Sequence, residues 1–107
     1  MRQPIQPLKA EFFKALAHPA RIRILELLCE SEQPVSALAA DVGLEASHLS
    51  QQLGILRRAN LVLTRKDGTS VYYRLADQRL AQLLALAKQI LLSYLTQARD
   101  QLAEIES

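Results

Sequence analysis

Ser47, His48, Ser50, Gln51 and Gln52 place five short or amide-bearing side chains within six consecutive positions. Groups of this kind donate and accept hydrogen bonds in fixed directions, which is the chemistry that reads base edges and holds phosphates. A Gln can pair with adenine through two hydrogen bonds, and Ser47 and His48 lie about one helical turn before Gln51. Leu49, Leu53 and Leu56 recur through the same stretch at helical spacing, so they can anchor one side of a helix to a core and leave the polar groups on the other. A solvated helix face more often carries Glu and Lys. The uncharged polarity is therefore a signal, although alone it also fits a plain solvated face.

The segments on either side of this helix decide between those readings. Leu61 to Arg65 and Ser70 to Leu75, rich in Val, Leu, Thr and Tyr, predict two strands. Lys66, Asp67, Gly68 and Thr69 between them supply Asp-Gly, a strong hairpin signal. Such a tip buries little, so its charges are free to face a partner. Ahead of the polar helix, Ser36 is a plausible N-terminal cap for a third helix, and Gly43 is placed to end it in the left-handed conformation. The fourth helix extends to about Ala59. Residues 34 to 75 thus predict helix, tight turn, helix and basic-tipped hairpin, the layout of a winged helix-turn-helix DNA reader.

The remaining segments must hold that unit. A first helix is expected from about Leu8 to Ala17, with Leu8, Phe12, Phe13 and Leu16 apolar, ending near His18 because Pro19 favours the first turn of a new helix. A second, from about Pro19 to Cys29, presents Ile22, Leu25 and Leu28 beside Ile24 and Leu27, a broad stripe meant for burial. From about Gln78 to the end the chain returns to helix, with Leu80, Leu83, Leu84, Ala87, Ile90, Leu91 and Leu95 apolar. If unbroken it is about 40 Å long at about 1.5 Å per residue. One small domain cannot cover both this helix and the first, so a second copy of the chain is the expected cover, with Leu8, Phe12, Leu83, Leu84, Ala87, Ile90, Leu91 and Tyr94 in the interface.

Composition bounds the answer. The 107 residues suit one domain over 1–107, mainly α with a two-stranded wing, and with 50% hydrophobic residues, no Trp and five Phe or Tyr the core is aliphatic. The formal net charge of +2 hides a pattern. Residues 1–24 carry five Lys or Arg against one Glu, 25–44 carry four acids and no base, and 45–74 return to a balance of +3. Basic charge on the reading helix and wing is what phosphate contact requires. The amino-terminal stretch, polar and interrupted by Pro4 and Pro7, does not read as a signal peptide, and no apolar run approaches the roughly 20 residues of a membrane span. The single cysteine, Cys29, excludes an internal disulfide framework and suits a reducing cytoplasm.

The run LAHPARIRILELL at Leu16 to Leu28, the Leu44 to Leu56 segment with its internal Ser50, the RRANLV stretch and the RKDGTSVYYRL wing together resemble the ArsR family of bacterial repressors. The resemblance covers nearly the whole chain. It implies a homodimeric winged helix-turn-helix protein that sits on an inverted-repeat operator in double-stranded DNA and leaves when an inducer binds. It places Ser47, His48, Ser50 and Gln51 where the family touches DNA, puts Arg65, Lys66 and Thr69 in the wing, and assigns dimerisation to the first and last helices. Gln52 and Arg57, on the same helix, join the expected DNA contacts. Tyr72 and Tyr73 match paired wing tyrosines, one of them assigned to packing.

Departures from the family pattern concern the switch. Ser36 to Asp41 reads SALAAD, without the cysteines that some members carry on the third helix. On the last helix Asp77 is present, but Arg79 replaces a His. Glu45 stands where a Ser cap is frequent, and Gly54 replaces a frequent Lys. The remaining soft ligands are His18, His48 and Cys29. His18 and Cys29 lie about 16 Å apart along a helix axis, too far to share an ion at bond lengths near 2 Å within one subunit. No metal site and no cofactor are expected, though a site shared across a dimer stays open, and the inducer is unassigned.

Cys29 follows an apolar run and reads as a small buried hydrophobe, with Glu26 and Glu30 opposing an activated thiolate. A redox switch at Cys29 is the functional alternative. An enzyme is not expected, because no nucleophile elbow or metal-hydrolase motif accompanies the Ser, His and Asp residues, and three glycines leave no material for a phosphate loop. The competing class is a winged helix that serves as a protein-interaction module without binding DNA.

Overall fold

The structure, a computed structural model, describes residues 4–106. Its order is α1 (Ile5–Leu16), α2 (Pro19–Glu30), β1 (Gln33–Pro34), α3 (Val35–Val42), α4 (Ala46–Arg58), β2 (Val62–Asp67), β3 (Ser70–Leu75) and α5 (Arg79–Glu106). The helix α1 starts three residues before the expected Leu8, because Pro7 falls in its first turn, where a missing N–H costs nothing. The helix α2 begins at Pro19 behind His18, whose Nδ1 accepts the Ala20 N–H at 3.1 Å. That local hydrogen bond gives His18 a helix-joining role.

The helix-turn-helix is α3, a three-residue turn at 43–45, and α4. Gly43 ends α3 at φ +74°, and its N–H reaches the Ala39 carbonyl at 3.2 Å. The start of α3 differs from expectation: Pro34, not Ser36, occupies the N-cap, and Ser36 is an exposed residue of the first turn. The cause is β1, which holds residues 33 and 34 extended and brings the helix start forward. At the other end of α4, Asn60 takes φ +61°. Its N–H bonds to Arg57 O and the Leu61 N–H to Leu56 O, both at 3.0 Å, a Schellman motif closed by the buried pair Leu56 and Leu61.

The wing is the expected hairpin, β2 with β3, extended by a short third strand at its edge into an antiparallel sheet in the order β1-β3-β2. A two-residue strand containing a proline leaves no periodic trace in sequence, and proline is tolerated there because β1 is an edge strand. The hairpin is also longer than the expected Leu61–Arg65. Asp67 pairs with Ser70, so the loop is only Gly68 and Thr69. Gly68 takes φ +62° while Thr69 stays in the ordinary region, the pattern of a type II′ turn with glycine first. Lys66 is consequently a strand residue paired with Val71 rather than part of the loop.

The core joins the inner faces of α2, α3 and α4 to the base of the wing. Ile24, Leu25, Leu38, Leu49, Leu56 and Val62 are fully buried, each side chain contributing about 1.5–3 kcal/mol. Phe12, Tyr73, Leu83 and Leu84 pack against its edge, so Tyr73 is the wing tyrosine used in packing. Beyond Leu84 the last helix leaves the body. The radius of gyration is 17.4 Å, where a compact domain of about 100 residues has about 13 Å. Among the described residues no helix is long and apolar enough to cross a membrane.

Candidate nucleic-acid interface

The helix α4 is fixed by one face and open on the other. Leu49, Leu53 and Leu56 are buried in the core, while Ser47, His48, Ser50 and Gln51 are all exposed. Glu45 sits at the N-cap of α4 without a side-chain cap hydrogen bond. Gln52 is placed differently: it is half-buried, and its Oε1 accepts Arg21 Nη1 at 3.1 Å. Arg57 is exposed near the carboxyl end of the helix. The guanidinium of Arg58 lies over Gly54, so a Cβ at position 54 would stand 3.2 Å from Arg58 Nη1.

On the wing, alternation separates two residues that are neighbours in sequence. Val62, Thr64 and Lys66 share the face whose base packs on the helices, and Leu63, Arg65 and Asp67 share the other. Lys66 and Thr69 are exposed, and Lys66 has no ion-pair partner among the described residues. Arg65 is engaged. Its Nε lies 2.8 and 3.0 Å from the two oxygens of Glu32, its Nη2 is 2.6 Å from Glu32 Oε1, and its Cζ stands 4.4 Å above the Tyr72 ring centre. The Arg65 hydrogen bond holds the Glu32 carboxyl below its usual range. Glu32 was not singled out by the sequence: it lies 33 residues from Arg65, and only the pairing of β1 brings it near.

The expected interface residues fall into two groups. Phe12, Leu83 and Leu84 are half-buried against the chain's own core, whereas Leu8, Ala87, Ile90, Leu91 and Tyr94 are exposed, Leu8 by 54% and Leu91 by 59%. A groove of about 460 Å³ runs between α1 and the start of α5, lined by Phe12, Leu61, Leu80 and Leu83 and edged by Asn60, Asp77 and Arg79.

At that edge the Asp77 carboxylate caps α5. Its Oδ1 accepts the Arg79 N–H at 2.9 Å, and its Oδ2 pairs with Arg79 Nη2 at 2.6 Å. The Arg79 side-chain hydrogen bond, followed by the backbone one, holds the Asp77 pKa down to about 2. A guanidinium thus stands beside Asp77 where the family pattern has an imidazole. Among the described residues no three His, Cys, Asp or Glu side chains gather where they could hold a metal ion. Cys29 is half-buried rather than fully buried, and its thiol pKa is raised, first by desolvation and then by Glu26 and Glu30.

Comparison with known proteins agrees with this architecture. The family described as bacterial regulatory protein, arsR family, matches residues 18–64. The chain is 53% identical over 105 residues to the uncharacterized HTH-type transcriptional regulator Rv0081 of Mycobacterium tuberculosis, covering 97% of this chain and 90% of the relative. The crystal structure of M. tuberculosis Rv0081 aligns with a TM-score of 0.83 at 54% identity, over 91% of this chain and 98% of the other. The transcriptional repressor BigR from Xylella fastidiosa aligns at 0.75 and 35% identity, over 80% and 88% of the two chains. A homodimeric winged helix-turn-helix DNA-binding domain from Mycobacterium bovis, Mb0332, aligns at 0.77 and 33% identity, over 88% and 91%. The chain belongs to the arsR family of bacterial regulatory proteins, as a winged helix-turn-helix, DNA-binding transcriptional regulator and not an enzyme.

Proposed function

We propose that this chain is a cytoplasmic, homodimeric repressor that covers an inverted-repeat operator. Residues 1–107 act as one DNA-binding domain with terminal dimerisation helices. The observation that carries the reading is the division of α4 into a buried leucine face and an exposed, uncharged polar face of Ser47, His48, Ser50 and Gln51. In this reading the polar face enters the major groove, with Gln51 reading a base while Ser47, His48 and Ser50 hold bases or the backbone. Arg57, Lys66 and Thr69 meet phosphates on either side.

The second copy answers a physical need. The exposed apolar residues of α1 and α5 form a surface that a lone chain leaves in water, and pairing through them sets two α4 helices about one turn of DNA apart, roughly 34 Å. The M. bovis homodimer supports the assembly and the X. fastidiosa repressor supports the regulatory sign.

The test is duplex binding by the purified protein, with Gln51→Ala and Lys66→Ala beside it and sedimentation as a control. Loss of DNA affinity with the dimer intact supports the reading. DNA affinity indifferent to both changes would place the DNA contact elsewhere than α4 and the wing, and a wild-type protein without duplex affinity would return the fold to the class of protein-interaction modules.

A further inference from the structure

The wing carries two adjacent basic residues that the structure puts to different uses. We propose that Arg65 is not a phosphate contact but a positioning residue, which with Glu32 and Tyr72 clamps the wing to the body so that Lys66 meets the DNA backbone. The proposal rests on the reading that the wing touches DNA, and it divides the labour within it.

Three observations carry it. The register sets Arg65 opposite Tyr72 on β3, and Tyr72 opposite Pro34 on β1. Because Gln33 pairs with Tyr73, Glu32 lies level with Arg74, further from the tip than Tyr72. The Arg65 side chain therefore crosses the whole sheet over the Tyr72 ring and points back toward the base of the wing, away from the turn at Gly68. It joins β2 and β3 to the residue just ahead of β1.

Charge supports the same division. The guanidinium already holds a carboxylate through three short contacts, with Asp67 a further 3.8 Å away. A phosphate approaching Arg65 would compete with Glu32 and be repelled by it. An arginine neutralised within the protein releases few counterions when DNA binds, so it adds little to the salt dependence of affinity. Lys66 lies on the opposite, helix-side face with no ion-pair partner among the described residues, and it does add to that dependence. The Arg65 geometry also suits Arg and not Lys, since a planar fork is needed to stack on the ring and grip both carboxylate oxygens.

Salt titration separates a clamp from a contact. The probe is duplex DNA selected by the wild-type protein from a random-sequence pool, with affinity followed across salt concentration for E32A, R65A, R65K and K66A. The clamp predicts that E32A, R65A and R65K each weaken binding about five- to tenfold, the scale of one well-made exposed pair with a stacked cation, while the slope of log affinity against log salt stays at the wild-type value. K66A lowers that slope by about 0.9, one phosphate's worth.

Amide exchange at Val71 to Tyr73 should quicken in E32A and R65A while the melting transition stays cooperative. A slope lowered in R65A, affinity kept by R65K, tighter binding by E32A, or unchanged affinity in both E32A and R65A would each overturn the clamp. An unchanged slope and affinity in K66A would show instead that the wing does not meet the backbone, and would remove the clamp's purpose with it.

Discussion

Arg21 Nη1 donates to Gln52 Oε1 at 3.1 Å, while Nε and Nη2 of the same guanidinium donate to the Ala15 and Lys14 carbonyls at 2.7 and 3.2 Å. One side chain of α2 thereby joins the carboxyl end of α1 to the middle of α4. Among the described residues, Gln52 has a structural partner that Gln51 lacks. Gln52→Ala should cost about 1.5–3 kcal/mol in stability, as loss of a hydrogen bond to a charged group does. Denaturant unfolding measures this, and a variant as stable as the wild type would show that the bond is not maintained in solution.

Gln51→Ala should leave stability nearly unchanged, because the side chain is exposed, and should cost about 1–3 kcal/mol in operator affinity if its contact with a base is bidentate. The preference lost should map to one base position in each half-site. Site selection with the variant is the check, and an unchanged consensus would remove Gln51 from the reading set.

Assembly divides the apolar residues of α5. Ile90 is 44% exposed and lies outside the core cluster of the described residues, so Ile90→Glu should dissociate the dimer in sedimentation or unfold the protein. Leu84 packs on the core, and Leu84→Glu should both dissociate and destabilise. The wild-type interface should bury above about 2,000 Å² in total, the range of obligate dimers. A folded wild-type monomer at micromolar concentration would contradict this assembly.

The Asp77 cap gives a pH signature. Its pKa lies below the ordinary value of 3.8, at about 2, because Arg79 favours the charged form. A depressed carboxyl contributes stability that is fully present above the unfolded pKa and is lost as pH falls through the folded one. Asp77→Asn should therefore melt below the wild type at pH 7, and the gap should close between about pH 4 and pH 2. A gap constant across that range would show that charge plays no part in the cap.

Cys29 has a thiol pKa raised by desolvation and by two glutamates, which lowers its thiolate fraction and slows oxidation. Cys29→Ser should keep dimerisation and DNA affinity, and mild peroxide should leave binding intact. Stoichiometric zinc, cadmium, nickel or arsenite should likewise leave the protein on DNA. Rapid peroxide release that disappears in Cys29→Ser would instead make the lone cysteine a sensor.

Most helices and the exposed polar face of α4 are legible in the sequence because their signals are local and repeated. Leu49, Leu53 and Leu56 mark a period, Pro19 marks a start and Gly43 a stop. The features that escaped depend on pairings distant in sequence. The strand β1 is two residues long and exists only because β3 runs beside it. The Glu32 partner of Arg65 and the Arg21 partner of Gln52 lie 33 and 31 residues away, beyond the reach of any periodicity. The hairpin connection is shorter than the four residues Lys66 to Thr69 that its turn chemistry suggests: the ladder continues through Lys66 and Asp67, and the turn is Gly68-Thr69.

The central claim is that two copies of α4 read a two-fold symmetric site. Selection from a random-sequence duplex pool, with the mass of the complex measured on the recovered DNA, tests it most directly. The account predicts two chains per duplex and an inverted repeat whose half-sites are centred about 10 base pairs apart, or a multiple of one helical turn. An unsymmetrical consensus bound by a single chain, or a pool with no enriched sequence, would contradict it.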